Sequence, residues 1–159
     1  MGGSLRVLLF LNATVVAVAC RTNAAAARQR AEATAAACRA LPVDSALLAR
    51  GPVYRECEVG TPVAVTRGGA PRLPAAFREA KGDRCDSVRV SFVVDTLGQL
   101  EAGSERVLYG GDSALVAAVL ASLPAGEYLP AERQGRKVRG LVSYPFYFAT
   151  RFGMRCGPS

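Results

Sequence analysis

The residues with the most reactive side chains in this 159-residue chain are five cysteines, and the chain contains no histidine. Without histidine or a C-x-x-C pair, a zinc site is not expected. The same absence removes Ser–His and Cys–His nucleophilic pairs. The 13 acidic residues show no spacing that brings two carboxylates together for acid–base work. The sequence therefore predicts a non-enzymatic protein with no metal, no cofactor and no small-molecule substrate.

Three other positions could suggest chemistry, and each has a simpler structural interpretation. Ser113 precedes an apolar helical pattern and is interpreted as a first-turn residue rather than a nucleophile. Gly110-Gly111 lacks the G-x-x-x-x-G-K spacing of a phosphate loop and is interpreted as a chain break. Asp95 ends a strand pattern and is predicted to bond to its own backbone in a turn.

The first 20 residues are typical of an export signal. Arg6 is followed by the apolar stretch Val7–Ala19, which is short for a membrane-spanning helix. Ala17-Val18-Ala19 then precedes Cys20, as at a lipoprotein cleavage site, so Cys20 is a candidate for lipidation. A retained, uncleaved anchor over residues 1–19 is the alternative.

If Cys20 carries lipid, an even number of cysteines remains in an oxidising compartment. These candidates for disulfide bonds are Cys38, Cys57, Cys85 and Cys156. They allow two disulfides with three connectivities. The alternative is that some of them are free buried thiols.

The composition is globular, with 50% apolar and 21% charged residues and a net charge of +7. Basic residues do not interleave with aromatics, so nucleic-acid binding is not expected. Basic residues form a cluster within residues 133–139. It is interpreted either as a solvated turn or as a contact for acidic protein surfaces or anionic lipid headgroups.

The N-terminal half contains weak patterns. Ala24–Leu41 is alanine-rich and is predicted to be a helix that ends before Pro42. Asp44–Ala49 predicts one further helical turn. Val53–Thr66 predicts an edge strand or extended arm because it contains Pro62.

The C-terminal half contains the strong patterns. Ser87–Leu97 alternates as a strand with Val88, Val90, Phe92 and Val94 on one face, and an extended piece follows up to Tyr109. The second pattern is a helix from Ser113 to Leu123 with Asp112 as its N-cap. Predicted strands at Tyr128–Arg133 and Lys137–Phe148 flank a turn at Gln134-Gly135. The order predicts an α+β fold, with two layers formed by a small antiparallel sheet packed on one amphipathic helix, preceded by an N-terminal helical segment.

Several ordered motifs resemble the TonB C-terminal domain family over residues 70–148. Val90–Gly98 resembles the first strand and turn, and Ser113–Leu123 the single long helix. Tyr128-Leu129-Pro130-Ala131 is similar to the segment after that helix. Gly135–Arg139 is similar to a basic hairpin, and Leu141–Phe148 to the closing strand.

The resemblance implies a periplasmic protein-binding domain whose last strand, here Arg139–Phe148, pairs with a partner peptide. Two features depart from the energy transducers of that family. The chain lacks their membrane-helix histidine, and only 31 residues separate Cys20 from Gly51. The sequence therefore favours a fixed docking surface over force transmission.

We accordingly predict a membrane-tethered scaffold subunit on the periplasmic face of a larger membrane complex, such as a photosynthetic reaction centre with its antenna. A short adaptor in TonB energy coupling is the alternative. The predicted domains are 1–19 signal or anchor, 20–52 helical spacer, 53–150 TonB-C-like domain and 151–159 tail. The predicted partner-binding residues are Arg136, Lys137, Arg139, Tyr144 and Tyr147. Partners are expected to be membrane proteins, with an anionic lipid surface as a further contact.

Overall fold

The alanine-rich segment forms a helix, α1, over residues 25–40 in the computed structural model, which describes residues 25–151 and 156. The predicted helix is confirmed, and most of its residues are exposed. The predicted signal or anchor and Cys20 lie outside the described residues. Within the described ranges, no helix is both long and apolar enough to cross a membrane.

The chain divides into two compact units between Leu41 and Pro42. The predicted boundaries at residues 52 and 150 stay predictions. In the second unit the first elements are short. They are α2 (Ser45–Leu48), β1 (Tyr54–Arg55), a 3-10 turn (Glu56–Glu58), β2 (Ala64–Arg67) and α3 (Ala75–Arg78). The predicted arm over 53–66 is therefore interrupted. At this break the Glu58 carboxylate accepts the Arg55 N–H at 2.8 Å, which holds the chain in a turn.

The remaining elements follow the predicted order. They are β3 (Cys85–Val94), β4 (Arg106–Gly110), α4 (Ser113–Ser122), a 3-10 turn (Leu123–Ala125), β5 (Glu127–Leu129), β6 (Ala131–Arg133), β7 (Arg136–Val138) and β8 (Gly140–Ala149). The main sheet has the order β1-β8-β3-β4. β3 is antiparallel to β4 and β8, whereas the short β1 is parallel to β8. β2 pairs with β5 and β6 with β7, both antiparallel.

The core lies between α4 and the inner face of the main sheet. It consists of Phe77, Val88, Val90, Phe92, Val94, Leu115, Val119, Leu123, Tyr128 and Phe148. Every second residue of β3 faces this core because strand side chains alternate. The Asp112 carboxylate caps α4 by accepting the N–H groups of Ala114 and Leu115. The predicted α+β fold with a sheet packed on one long helix is confirmed.

Two predicted strands are each divided in two. Tyr128–Arg133 breaks at Pro130, so β5 pairs with β2 and β6 with β7. Lys137–Phe148 breaks at Arg139, whose carbonyl accepts the Tyr54 N–H at 2.9 Å. These breaks distribute the two predicted strands over three sheets, which alternation of side chains alone does not indicate.

All four predicted disulfide candidates are disulfide-bonded. Cys85 pairs with Cys156 across 71 residues, with their Cα atoms 5.5 Å apart. Cys38 and Cys57 are also disulfide-bonded. The alternative of free buried thiols is therefore wrong for these residues.

Candidate functional site

The outer face of the main sheet, opposite α4, contains the residues that β3 and β8 direct away from the core. In register along this face, Val93 pairs with Leu141, Ser91 with Ser143, Arg89 with Pro145, and Ser87 with Tyr147. Side chains directly opposite on two antiparallel strands share a face. The first two pairs form one half of the outer face and the last two pairs form the other.

The first half, here called the covered half, is buried although it faces away from α4. Ser91 is 2% exposed, Val93 0% and Leu141 4%. Residues 42–53, the cover segment, lie over it, and the buried Leu47 lines a cavity together with Ser91 and Leu141. The sheet is therefore sandwiched between two apolar layers at this end.

Arg139 holds the cover segment in place. Its guanidinium donates to the Glu101 carboxylate at 2.5 and 2.7 Å, to the Gly51 carbonyl at 2.6 Å and to the Leu47 carbonyl at 3.2 Å. Both side chains of the ion pair are largely buried. The hydrogen bonds with Glu101 raise the pKa of Arg139 above its ordinary value. This arrangement joins β8, the loop after β3 and the cover segment through one side chain.

A second polar contact holds the start of the cover segment. The Asp44 carboxylate caps α2 by accepting the Ala46 N–H at 2.9 Å, and Arg106 of β4 donates to the same carboxylate. The Ala46 N–H and then Arg106 lower the pKa of Asp44 below its ordinary value of 3.8. The cover segment is thus attached to the strands on either side of β3.

The second half of the outer face, here called the open half, is accessible. Tyr109 of β4 is 61% exposed and Tyr147 is 43% exposed. Arg89 lies between them in the middle strand, opposite Tyr109 on one side and Pro145 on the other. These residues line a groove of about 540 Å³, with Ser87 and the Cys85–Cys156 disulfide at one end.

Among the described strands, none pairs with the edge of β8 beside both halves along most of its length. β1 pairs only with Gly140 and Leu141, and within the described residues no other strand continues along this edge. A strand of this length with an unpaired edge offers a row of backbone groups to another chain.

The orientation of these backbone groups follows from one hydrogen bond. The Arg139 carbonyl faces β1, since it accepts the Tyr54 N–H. Because strand backbone groups alternate with a period of two, the groups of Ser143, Pro145 and Tyr147 also face this edge. Pro145 has no N–H, so the edge presents two N–H donors and three carbonyl acceptors at these positions.

A small depression of about 250 Å³ lies next to this edge on the inner side. Val63, Val65 and Tyr144 contribute apolar walls to it. Tyr144 is 36% exposed and packs edge to face on Phe146, with ring centroids 5.1 Å apart. The open edge therefore has an aromatic side chain on each face, Tyr144 on one and Tyr147 on the other.

The predicted partner-binding residues occupy three different places. Arg136 and Lys137 are exposed on the β6–β7 hairpin, where Arg133 stacks over Tyr54 at 4.9 Å. Arg139 is engaged in contacts within the domain. Seven residues of strand, roughly 23 Å, separate Gly140 from Tyr147. The structure thus brings Tyr144 and Tyr147 to one edge but places the basic hairpin near the other end of β8.

Neither Arg89 nor Tyr109 is among the residues that the sequence predicts for a site. An arginine within a valine-rich strand was the available signal for Arg89. Tyr109 gave no signal, because its position opposite Arg89 depends on a register shift in β4 after Val107. The pairing of two strands, rather than either strand alone, forms the groove.

The positions with simpler structural interpretations behave as predicted. The Asp95 carboxylate accepts the N–H groups of Leu97 and Gln99, both at 2.8 Å, within its own turn. Ser113 is the first residue of α4. Over the described residues, no cluster of three histidine, cysteine or acidic side chains is arranged to hold a metal ion.

No family model matches the chain, and no curated protein matches it. Among solved structures, the chain is similar to the solution NMR structure of Pseudomonas aeruginosa TonB CTD, with a TM-score of 0.43 and 17% identity. The match covers 65% of this chain and 96% of that one. A likeness at this level assigns neither a family nor a function to the chain.

Proposed function

We propose that this chain is a non-enzymatic protein-binding subunit that pairs a strand of its partner with the open edge of β8. The observation that carries this proposal is the edge of β8 beyond Leu141, which pairs with no described strand. Strand addition of this kind derives affinity from backbone hydrogen bonds and selectivity from side-chain pockets.

The surroundings of the edge supply such selectivity. An added strand would direct alternate side chains to the two faces of the sheet. On the inner side they would meet the depression lined by Val63, Val65 and Tyr144. On the outer side they would lie next to Tyr147. Exposed tyrosines are frequent anchors in interfaces because they combine apolar area with a polar tip.

The location that we propose is the periplasmic face of a bacterial membrane, with the chain tethered at Cys20 or by residues 1–19. The disulfide-bonded state of Cys38, Cys57, Cys85 and Cys156 supports an oxidising compartment. The exposed Arg136 and Lys137 support a contact with anionic headgroups or an acidic neighbour. In this arrangement the domain serves as a fixed support within a larger membrane complex.

A substitution at Ser143 tests the edge itself. Ser143→Pro removes an edge N–H that bonds to no described group, and Ser143→Ala is the matched control that keeps it. We expect the proline variant alone to lose its partner in affinity purification of the full chain from gently solubilised membranes. Equal recovery of the partner with both variants would contradict strand addition at β8.

Hydrogen exchange gives a second measurement if the proline variant does not fold. The amides of Ser143 and Tyr147 should exchange fast in the isolated chain and slowly in the complex, because strand addition engages both N–H groups. Unchanged exchange rates at both amides would exclude the edge of β8 as the binding site. Co-purification with inner-membrane motor proteins and an outer-membrane receptor would contradict the scaffold function and indicate an energy-coupling adaptor instead.

A further inference from the structure

The groove on the open half contains an arginine, Arg89, that has no counter-charge among the described residues. Arg89 is exposed at the centre of the groove, and among the residues that the structure describes it forms no ion pair. By contrast, Arg139 and Arg106, which flank the covered half, are paired with Glu101 and Asp44. The difference indicates that the charge of Arg89 is not used to hold the domain together.

Within the described part of the chain, the other charged residue that lines the groove does not neutralise Arg89. Asp86 pairs in register with Phe148 and therefore directs its side chain to the opposite face of the sheet from Arg89. Its carboxylate lies 3.5 Å from the Arg84 guanidinium, which is also 3.4 Å from Asp112. Among the described residues, the outer surface of the groove therefore carries the positive charge of Arg89, with Tyr109 and Tyr147 beside it.

We infer that this groove is a second contact surface, which binds an acidic, extended peptide segment of a protein partner. A carboxylate side chain would accept hydrogen bonds from the guanidinium of Arg89, whose planar donors fit a carboxylate in pairs. Neighbouring side chains of the segment would pack on Tyr109, Pro145 and Tyr147. The surface differs from the β8 edge in using side chains of three strands and no unpaired backbone group, although Tyr147 borders both.

The test uses the full chain with its disulfides intact and two fluorescein-labelled eight-residue peptides. One alternates glutamate with threonine, and the other replaces every glutamate by glutamine. Fluorescence anisotropy at low salt should show binding of the glutamate peptide that is at least about tenfold tighter than binding of the glutamine peptide. Equal affinities would overturn the inference.

Substitutions locate the binding. Arg89→Gln should weaken binding of the glutamate peptide at least about tenfold, whereas Arg89→Lys should retain part of the affinity. The matched control is Arg136→Gln, which removes one exposed positive charge from the β6–β7 hairpin and should leave binding unchanged. An equal loss in Arg89→Gln and Arg136→Gln would show nonspecific charge attraction and would overturn the assignment to the groove.

Two further arms separate this surface from its alternatives. Ser143→Pro should bind the glutamate peptide normally, so failure of the edge and failure of the groove are distinguishable. Size-exclusion chromatography over a range of concentrations tests occupation by a second copy of the chain. A dimer that dissociates on Arg89→Gln would replace the acidic partner by self-association.

Discussion

The two halves of the outer sheet face are built on the same two strands, yet one is interior and the other is surface. At the covered half, small and apolar residues lie under the cover segment, and each nearby arginine has a carboxylate partner. At the open half, two tyrosines and an arginine are left exposed without a described counter-charge. A segment outside the sheet therefore decides whether a strand face stabilises the domain or is available to a partner.

The largest effect on the free energy of unfolding is expected from substitution of Arg139, which holds the cover segment over the covered half. Arg139→Ala leaves the largely buried Glu101 with only the 3.9 Å contact to Arg50 and leaves the Gly51 carbonyl without its guanidinium donor. We expect a loss of about 2–4 kcal/mol in the free energy of unfolding, measured by chemical denaturation. Arg89→Ala on the open half is the control, with a change within about 0.5 kcal/mol. Similar losses in both variants would remove the distinction between the halves.

The apolar contribution of the cover segment is tested by two adjacent leucines. Leu47 is 4% exposed and Leu48 is 50% exposed. Leu47→Ala should lower the free energy of unfolding by about 2–3 kcal/mol, because it removes a buried side chain and leaves a cavity. Leu48→Ala should change it by no more than about 0.5 kcal/mol. Equal effects would indicate that the cover segment does not pack on the sheet as described.

On the open half, removal of the tyrosines should affect binding more than folding. Tyr147→Ser is expected to reduce the free energy of unfolding by less than about 1 kcal/mol, since the side chain is 43% exposed. The same variant should recover less partner from solubilised membranes. A strongly destabilised variant would show that Tyr147 belongs to the core, and undiminished recovery would refute its interface role.

The smallest effect is expected on the pH dependence of the Tm, through Asp44 of the cover segment. The folded-state pKa of Asp44 is lower than its ordinary value of 3.8. The contribution of the Asp44 carboxylate to the stability of the fold is therefore fully present above about pH 4. It is lost as the pH falls through the lower pKa that Asp44 has in the folded state. Asp44→Ala should lower the Tm at pH 7, and the difference from the unsubstituted chain should shrink at pH 3.

Arg106→Ala provides the control for this titration. It removes the ion pair but keeps the Ala46 N–H, which is the largest cause of the lowered pKa of Asp44. Part of the pH dependence should therefore remain in this variant. A Tm difference between Asp44→Ala and the unsubstituted chain that does not vary with pH would contradict the assignment.

The sequence by itself determined the elements whose formation depends on near neighbours. Alternation along Ser87–Val94 sufficed for β3 and its core-facing side, and Asp112 sufficed for the start of α4. The turns at Asp95 and at Gln134-Gly135 also follow from local chemistry, because the side chain or the left-handed backbone acts within two or three residues. These local features were enough to indicate the order of elements and the α+β class.

Only the tertiary structure decided which faces and edges remain accessible. Arg139 and Arg89 are both arginines of the sheet region, but Arg139 contacts carbonyls some 90 residues away in the chain, whereas Arg89 makes no such contact with a described residue. Likewise, Tyr109 reaches the groove through a register shift in its own strand, β4. Burial on the second face of a sheet and pairing at its edge depend on segments distant in the chain. The period of a single strand carries no information about them.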